Sequence, residues 1–210
     1  MGRGDQSPLV VLGTHNAKKR RELAVLLEPL GFQLRTLGDY PQAIEVVEDG
    51  DSFAANARLK ATQQALHLGE WVLGEDSGLM VDALGGAPGI FSARYAGPDA
   101  TDDANNRTLL AQLGETTPER RTAHYVCHMM LADPQGQVRA ESEACCSGRI
   151  RLSAAGSAGF GYDPLFELVE YHRTFGELGA AVKGVLSHRA RASRRLVPQL
   201  IALRAAGAWR

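Results

Sequence analysis

Two adjacent carboxylates, Glu75 and Asp76, stand with Ser77 between two apolar runs. The runs are short and contain residues that favour strands, which is typical of buried β-structure. Burying two like charges is costly unless a cation meets them, and Mg²⁺ on carboxylate oxygens, usually with a phosphate, is the simplest such partner. The alternative is a polar hairpin turn in which both carboxylates are solvated. These residues alone leave both interpretations open.

A second set of candidate residues follows the first predicted strand. Thr14 and Asn16 stand in the turn that leads into a helix, and Lys19 belongs to a basic run at residues 18–21. Because free amides at a helix N-terminus attract anions, this strand, turn and helix with one lysine can form a phosphate site. The glycine patterns of a Walker loop and of a dinucleotide-binding turn are both absent. The alternative is a solvated basic helix face.

Two stretches near the C-terminus carry further candidate residues. The loop at residues 159–164 has two aromatic rings and an acid among its glycines. Such a ring can stack on a purine base, or it can fill the apolar core, which is the commoner role. Further along, Lys183, His188 and Arg189 bring hydrogen-bond donors together, unless they are solvated charges at the start of a helix.

The elements that must position these residues are strands and helices in mixed order. Helix caps are predicted at Asn16 or Thr14, at Asp51 or Ser52, and at Thr101, Thr174 and Ser187. Pro198 should kink or interrupt the last helix. Strands are predicted at residues 9–12, 32–37, around 75, 121–131 and 137–150, the last two joined by a turn at 133–136. This pattern predicts an α/β fold with a long mixed central β-sheet flanked by helices.

Composition narrows the class of protein. The chain has 210 residues and a formal net charge of -1, which suits one large domain and provides no basic field for nucleic acid. No apolar run is long enough for a membrane span, and residues 1–8 are predicted to be a flexible leader rather than a signal peptide. Three cysteines, two of them adjacent, predict reduced thiols in a cytoplasmic protein.

The order of these pieces resembles the inosine/xanthosine triphosphate pyrophosphatases, a Ham1-like family acting on non-standard purine nucleotides. The resemblance runs from about residue 10 to residue 203, and it is specific because many weak motifs occur in the family's order. The matching stretches are residues 14–19, 22–23, 48–53, 56–57, 60–61, 75–79, 84–90, 92–95, 159–166, 183 and 187–189.

The resemblance implies hydrolysis of ITP, dITP and XTP to the monophosphate and pyrophosphate, with Mg²⁺ as cofactor. It puts Asp76 at the catalytic position as general base, and it puts Glu48, Glu75 and Asp76 at the metal. Glu75 stands where aspartate is more usual. The implied architecture is a single catalytic domain over residues 9–210, with two lobes and the active cleft between them. A cytoplasmic homodimer is implied, without a nucleic-acid or membrane partner.

The resemblance also implies the substrate contacts. Phosphate-side contacts fall on Thr14, Asn16, Lys19 and Lys60, and Ser77 matches a further substrate contact. Base-side contacts fall on Phe160 as the stacking ring, on Gly161, Tyr162 and Asp163 as pocket-shaping residues, and on Lys183, His188 and Arg189 at the base edge. Donors at that edge suit the carbonyl oxygen of hypoxanthine or xanthine, where adenine has an amino group.

Three alternatives differ in what they predict. A non-catalytic nucleotide-binding protein on the same fold would bind ITP without turnover. A nucleic-acid-binding module would show affinity that falls steeply with salt. A related pyrophosphatase for modified pyrimidine or other nucleotides would show a different substrate profile.

Overall fold

The computed structural model describes residues 7–209, so most of the predicted leader at residues 1–8 lies outside the described residues. The strands are β1 (Leu9–Leu12), β2 (Gln33–Thr36), β3 (Val72–Val81), β4 (Thr122–Ala132), β5 (Val138–Ile150), β6 (Phe166–Leu168) and β7 (Arg173–Thr174). The α-helices are α1 (Ala17–Leu27), α2 (Phe53–Leu68), α3 (Asp102–Leu113), α4 (Phe175–Leu186) and α5 (His188–Ala205).

One sheet contains the seven strands in the order β2-β1-β3-β4-β5-β6-β7. Strand β1 is parallel to β2, with Leu9 opposite Gln33, and parallel to β3, with Val11 opposite Val72. Strands β5 and β6 are antiparallel, as are β6 and β7. The predicted mixed α/β sheet is therefore confirmed.

Contacts divide the chain into two compact units, and each has its own apolar core. The first unit comprises the chain up to Asp76, His128–Glu143 and the chain from Ala192 onward, and the second comprises Ser77–Cys127 and Ala144–Arg191. The first core contains Ala57, Ala61 and Ala65 of α2 packed with Val11, Val72 and Met130. The second contains Leu79, Tyr125, Phe166 and Phe175, and the Phe166 and Phe175 rings stack at 5.6 Å between centroids.

Local signals determine most helix boundaries as predicted. The Asn16 side chain accepts hydrogen bonds from the Lys18 and Lys19 amides and so caps α1. Ser52 caps α2, which ends at Gly69 in a left-handed conformation that glycine adopts without strain. The other predicted caps are also confirmed, at Thr101, at the Thr174–Glu177 capping box and at Ser187.

Helix α5 continues through Pro198 from His188 to Ala205. The predicted interruption therefore does not occur, and the predicted kink stays a prediction. Proline removes one intrahelical hydrogen bond and crowds the preceding turn. Leu196 and Leu200 on either side of it are almost fully buried, and the packing of a helix can outweigh such a local cost.

The turn between β4 and β5 is organised by one carboxylate. Asp133 accepts hydrogen bonds from the amides of Gln135 and Gln137 at 3.0 Å and from the Arg139 guanidinium at 2.9 Å. Burial alone would raise the pKa of Asp133, but these donors outweigh it and hold that pKa below its ordinary value. Gly136 completes the turn at a φ of +74°, and its amide donates to the Asp133 carbonyl.

Side chains of α5 cover backbone groups of β5. The Arg195 guanidinium donates to the Glu143 carbonyl oxygen, and Gln199 both donates to the Glu141 carbonyl and accepts from the Glu141 amide. In an antiparallel strand, the amide and carbonyl of one residue point to the same side. These side chains therefore satisfy backbone amide and carbonyl groups of β5 that could otherwise pair with a strand of another chain.

Within residues 7–209, no helix combines the length and the apolar character that crossing a membrane requires. The three cysteines are thiols, as expected, and Cys127 and Cys146 are buried. Burial raises the pKa of Cys146 to about 11, so this thiol is protonated near neutral pH and poorly reactive.

Candidate active site

Glu75 and Asp76 lie inside one continuous ten-residue strand, β3. The solvated-turn alternative is therefore wrong. Glu75 is fully buried, and its carboxylate lies 3.2 Å from the Lys19 ammonium of α1. Successive side chains of a strand point to opposite faces, and Asp76 accordingly meets different partners. The two like charges are tolerated because each meets its own lysine.

Asp76 belongs to a group of three charges in the first unit. The Lys60 Nζ atom of α2 lies 2.8 Å from Asp76 Oδ1 and 2.8 Å from Glu48 Oε2. The side chains of Lys60 and Asp76 are each only 10% exposed, whereas that of Glu48 is 36% exposed. One buried ammonium thus joins the predicted catalytic carboxylate to the predicted metal ligand.

Burial and charge act in opposite directions on the buried pair. Burial raises the pKa of Asp76, and nearby Lys60 and Lys19 only partly oppose that effect. Burial alone would lower the pKa of Lys60, but the carboxylates of Asp76 and Glu48 outweigh it and the pKa is raised. The ammonium form of Lys60 is therefore secured, and the Asp76 carboxylate accepts a proton more readily than an exposed aspartate does.

Close packing of α2 on β3 makes this arrangement possible. A Cβ atom on Gly74 would lie 2.4 Å from the Ala57 carbonyl oxygen and 2.6 Å from the Ala61 amide nitrogen. Only glycine at that strand position admits the helix backbone so closely. Lys60, between those two alanines in the same helix, thereby reaches Asp76.

The turn before α1 contains the other predicted phosphate ligands. The Asn16 amide donates to Thr14 Oγ1 at 3.2 Å. Asn16 Oδ1 accepts from the amides of Lys18 at 2.9 Å and of Lys19 at 3.1 Å. Two of the amides at this helix end are therefore engaged by the cap, so Asn16 organises the turn in addition to its predicted contact with substrate.

The carboxylates here are the hard oxygen donors that divalent cations such as Mg²⁺ prefer. Glu48 and Asp76 both contact one ammonium at 2.8 Å, so a positive charge already lies between them and the donor set fits a cation. Among residues 7–209, no group of three or more His, Cys, Asp or Glu side chains is arranged to hold a metal. The set of Glu48, Glu75 and Asp76 stays a prediction. Glu75 contacts Lys19, whereas Glu48 and Asp76 contact Lys60.

In the second unit, Phe160, Asp163 and Lys183 form one group. The Lys183 ammonium lies 2.6 Å from Asp163 Oδ2 and 3.9 Å from the centroid of the Phe160 ring. The same Asp163 oxygen accepts from the Phe160 amide at 2.8 Å. Asp163 is 1% exposed, so it shapes the loop from inside the protein, where it orients Lys183 and Phe160.

Ser77 and Arg189 form a second group in this unit. Arg189, which is 1% exposed, donates from Nη2 to Ser77 Oγ at 2.9 Å. The His188 ring stacks on Tyr125 with centroids 4.6 Å apart and planes 11° apart. The ring of Tyr125 therefore orients His188, and the Ser77 hydroxyl orients Arg189.

The remaining loop residues are held by hydrogen bonds. Tyr162 is buried and donates from its hydroxyl to the Ser92 carbonyl at 2.9 Å, and burial raises its pKa. Asn106 of α3 donates to the Gly161 carbonyl at 3.0 Å. The predicted base-side residues therefore lie on a loop with defined backbone contacts.

Three residues of the site were not among the predicted site residues. Asn56 lies in one of the matching stretches, one turn before Lys60 on the same helix face, but it was given no role; in the structure it contacts Asp76. Asn106 and Tyr125 hold Gly161 and His188 through contacts distant in the sequence. No local pattern reveals such partners.

Comparisons with known proteins show the family to which the chain belongs. The chain matches the Ham1 family over residues 10–199. A dITP/XTP pyrophosphatase from Rhodopirellula baltica is 55% identical over 194 residues, which cover 92% of this chain and 93% of that protein. A protein of the same name from Exiguobacterium sp. is 48% identical, with 91% and 96% covered.

Solved structures show the same fold. A HAM1 protein from Coxiella burnetii superposes with a TM-score of 0.85 at 32% identity, over 93% of this chain and 99% of that one. A nucleoside-triphosphatase / dITP/XTP pyrophosphatase from Mycobacterium abscessus gives a TM-score of 0.74 at 40% identity, over 91% and 99%. By sequence over nearly its whole length and by fold, the chain belongs to the Ham1 family.

Proposed function

We propose that this chain hydrolyses ITP, dITP and XTP to the monophosphate and pyrophosphate, and so removes non-standard purines from the cytoplasmic nucleotide pool. It is a nucleoside-triphosphate pyrophosphatase of the Ham1 family, in line with the names of its relatives. The observation that carries the proposal is the buried carboxylate of Asp76 in β3, which is held by the Lys60 ammonium. A protein that only binds nucleotide does not need a buried base at this position.

Asp76 is proposed as the general base. It accepts a proton from water, and the water oxygen bonds to the α-phosphorus while the bond from phosphorus to the bridging oxygen breaks. Pyrophosphate leaves with that oxygen and the electron pair of the bond. The contact with Lys60 fixes the orientation of the carboxylate, and such positioning accounts for much of the rate of phosphoryl transfer.

Cationic groups must offset the charge of the triphosphate before an anionic base can act beside it. We assign this role to Lys19 and Lys60. Thr14 and Asn16 are proposed as hydrogen-bonding phosphate contacts, and Ser77 as a further substrate contact. Pyrophosphatases of this family generally need a divalent metal, and we propose that Mg²⁺ is held by Asp76, Glu48 and Glu75. When bound, Mg²⁺ would stabilise the charge that develops on the phosphate oxygens.

Base selection is proposed to rest on the second unit. Phe160 stacks on the purine, and Gly161, Tyr162 and Asp163 hold its loop in shape. Lys183, His188 and Arg189 provide the base edge, where donors match the carbonyl oxygen of hypoxanthine or xanthine and oppose an adenine amino group. A site that pairs such a group can reject the mismatched base by several powers of ten.

A product assay over ITP, XTP, GTP and ATP tests the proposal. With Mg²⁺, the chain should release pyrophosphate rather than orthophosphate from ITP and XTP, and it should act poorly on ATP. A chelator should abolish the activity. Asp76→Asn should bind ITP yet lose turnover, because an amide cannot accept the proton.

Two results would overturn these assignments. Orthophosphate as the first product would exclude cleavage between the α- and β-phosphates. Wild-type protein that binds ITP without releasing pyrophosphate would favour the non-catalytic alternative. We also propose a homodimer, which light scattering on the purified protein would test through its mass.

A further inference from the structure

A buried amide in α2 connects two parts of the proposed active site. Asn56 is 1% exposed, and it lies one helical turn before Lys60. Its Oδ1 accepts the Gly50 amide hydrogen bond at 2.9 Å. Its Nδ2 lies 3.5 Å from Asp76 Oδ2 and donates toward it. One side chain therefore contacts both the segment that carries Glu48 and the catalytic carboxylate.

Lys60 makes a parallel connection between the same two parts. It contacts Glu48 and the Oδ1 oxygen of Asp76, whereas Asn56 contacts Gly50 and the Oδ2 oxygen. The two connections together restrain both oxygens of Asp76. A carboxylate held at one oxygen alone can still rotate about its χ2 bond, which has a broad torsional well.

The approach of the segment depends on glycine. A Cβ atom on Gly50 would lie 2.7 Å from Asn56 Oδ1 and 2.7 Å from the Ala55 Cβ atom. Real Cβ atoms essentially never come so close. The backbone at residue 50 is therefore fitted to the Asn56 side chain, and this fit sets where Glu48 stands.

We propose that Asn56 is a positioning residue: it fixes the segment at residues 48–50 and the orientation of the Asp76 carboxylate in one arrangement. This inference rests on the proposed pyrophosphatase function for its kinetic consequence. In the proposed mechanism the amide acts through Asp76, the group that accepts the proton, and it takes no proton itself. Its loss should therefore slow turnover more than it weakens binding of the nucleotide.

Two substitutions separate the two contacts. Asn56→Asp keeps an oxygen that can accept from the Gly50 amide but replaces the donor toward Asp76 with a second carboxylate oxygen. Asn56→Ala removes both contacts. Gln64→Ala is the matched control, because Gln64 is also 1% exposed on α2 and its amide donates to the Ile44 carbonyl without touching Asp76.

Kinetics and amide exchange provide independent readouts. For pyrophosphate release from ITP, kcat should fall about 10- to 100-fold in both Asn56 variants, and KM should change by less than about threefold. Hydrogen exchange by NMR should show that the Gly50 amide loses protection in Asn56→Ala and keeps it in Asn56→Asp. Gln64→Ala should keep kcat within about threefold of wild type although it unfolds at a lower temperature.

The proposal fails if folded Asn56→Asp and Asn56→Ala both keep the wild-type kcat. It also fails if Gln64→Ala lowers kcat as much as Asn56→Ala, because the effect would then be general destabilisation. Should Asn56→Ala not fold, the isosteric Asn56→Asp carries the kinetic test. If the wild type does not hydrolyse ITP, the proposed function is refuted, and Gly50 protection in the variants still decides whether Asn56 holds the segment.

Discussion

Replacing Gly74 by alanine would put one methyl group between β3 and α2. The new Cβ atom would lie 2.4 Å from the Ala57 carbonyl oxygen and 2.9 Å from the Ala61 Cβ atom, whereas ordinary contacts begin at 3.4 Å. These are backbone or short-side-chain atoms, which cannot rotate away. The helix must therefore retreat from the strand by about 1 Å to restore an ordinary contact.

Such a shift affects both stability and chemistry. Overpacking of this kind costs about 1–3 kcal/mol, which lowers the melting temperature of a chain of this size by about 2–12 °C. The same helix carries Lys60, which lies 2.8 Å from Asp76, and Asn56, which lies 3.5 Å from it. Lys60 has a long side chain that can follow the carboxylate, but Asn56 does not. Misplacement by about 1 Å can reduce turnover as much as 100-fold.

Calorimetry and pyrophosphate release from ITP would measure both effects, with Gly184→Ala as the matched control. Gly184 lies exposed in α4, and a Cβ atom there meets nothing within 4 Å. That variant should be neutral or more stable by up to about 1 kcal/mol, since alanine favours a helix. A Gly74→Ala protein that melts no lower than the control and hydrolyses ITP at the wild-type rate would refute the reasoning.

Three further predictions concern stability and association. Trp209→Ala should lower the free energy of unfolding by about 1–3 kcal/mol in urea, because the Trp209 indole stacks on Trp71 with centroids 4.4 Å apart; an unchanged midpoint would contradict this. The double variant Arg195→Ala/Gln199→Ala should form larger species than the wild type in light scattering, since it uncovers backbone groups of β5; equal masses at all concentrations would exclude that role. Asp133→Asn should lose stability near pH 7 but little at acid pH. The pKa of Asp133 is lowered in the folded chain, so its stabilisation is present above the unfolded value near 3.8 and is lost as the pH falls through the folded value. A stability difference that does not change with pH would show that the charge of this carboxylate does not stabilise the fold.

Helix boundaries were predictable because their causes are local. Asn16 and Ser52 each accept amide hydrogen bonds from residues two or three positions ahead, and Gly69 adopts a left-handed backbone one residue after its helix ends. A sequence displays all of these partners side by side. The long strands β4 and β5 were predictable for a similar reason, since the turn at residues 133–136 between them is visible in the chain. Burial alternates along β5, whereas most of β4 is buried.

The state of Glu75 and Asp76 could not be read from neighbouring residues. Whether two carboxylates form a solvated turn or a buried strand depends on cations that reach them, and Lys19 and Lys60 come from two different helices. The resemblance named both lysines as phosphate ligands, yet it did not pair each with its own carboxylate. Pro198 shows the converse, because the helix continues through a residue that by itself favours a kink or an interruption.

The residues that decide the chemistry of β3 include some with no chemistry of their own. Ala57 and Ala61 are fully buried against Gly74, and only three small residues at these positions let α2 lie so close to the strand. That distance determines whether Asn56, whose side chain is short, can donate to the Asp76 carboxylate. A larger residue at any of the three would move α2 off the strand, and Lys60 could follow the carboxylate whereas Asn56 could not. Asp76 would then be held at one oxygen alone, with a broad torsional well about its χ2 bond. The small residues therefore hold the proposed base in its orientation as much as the side chains that contact it.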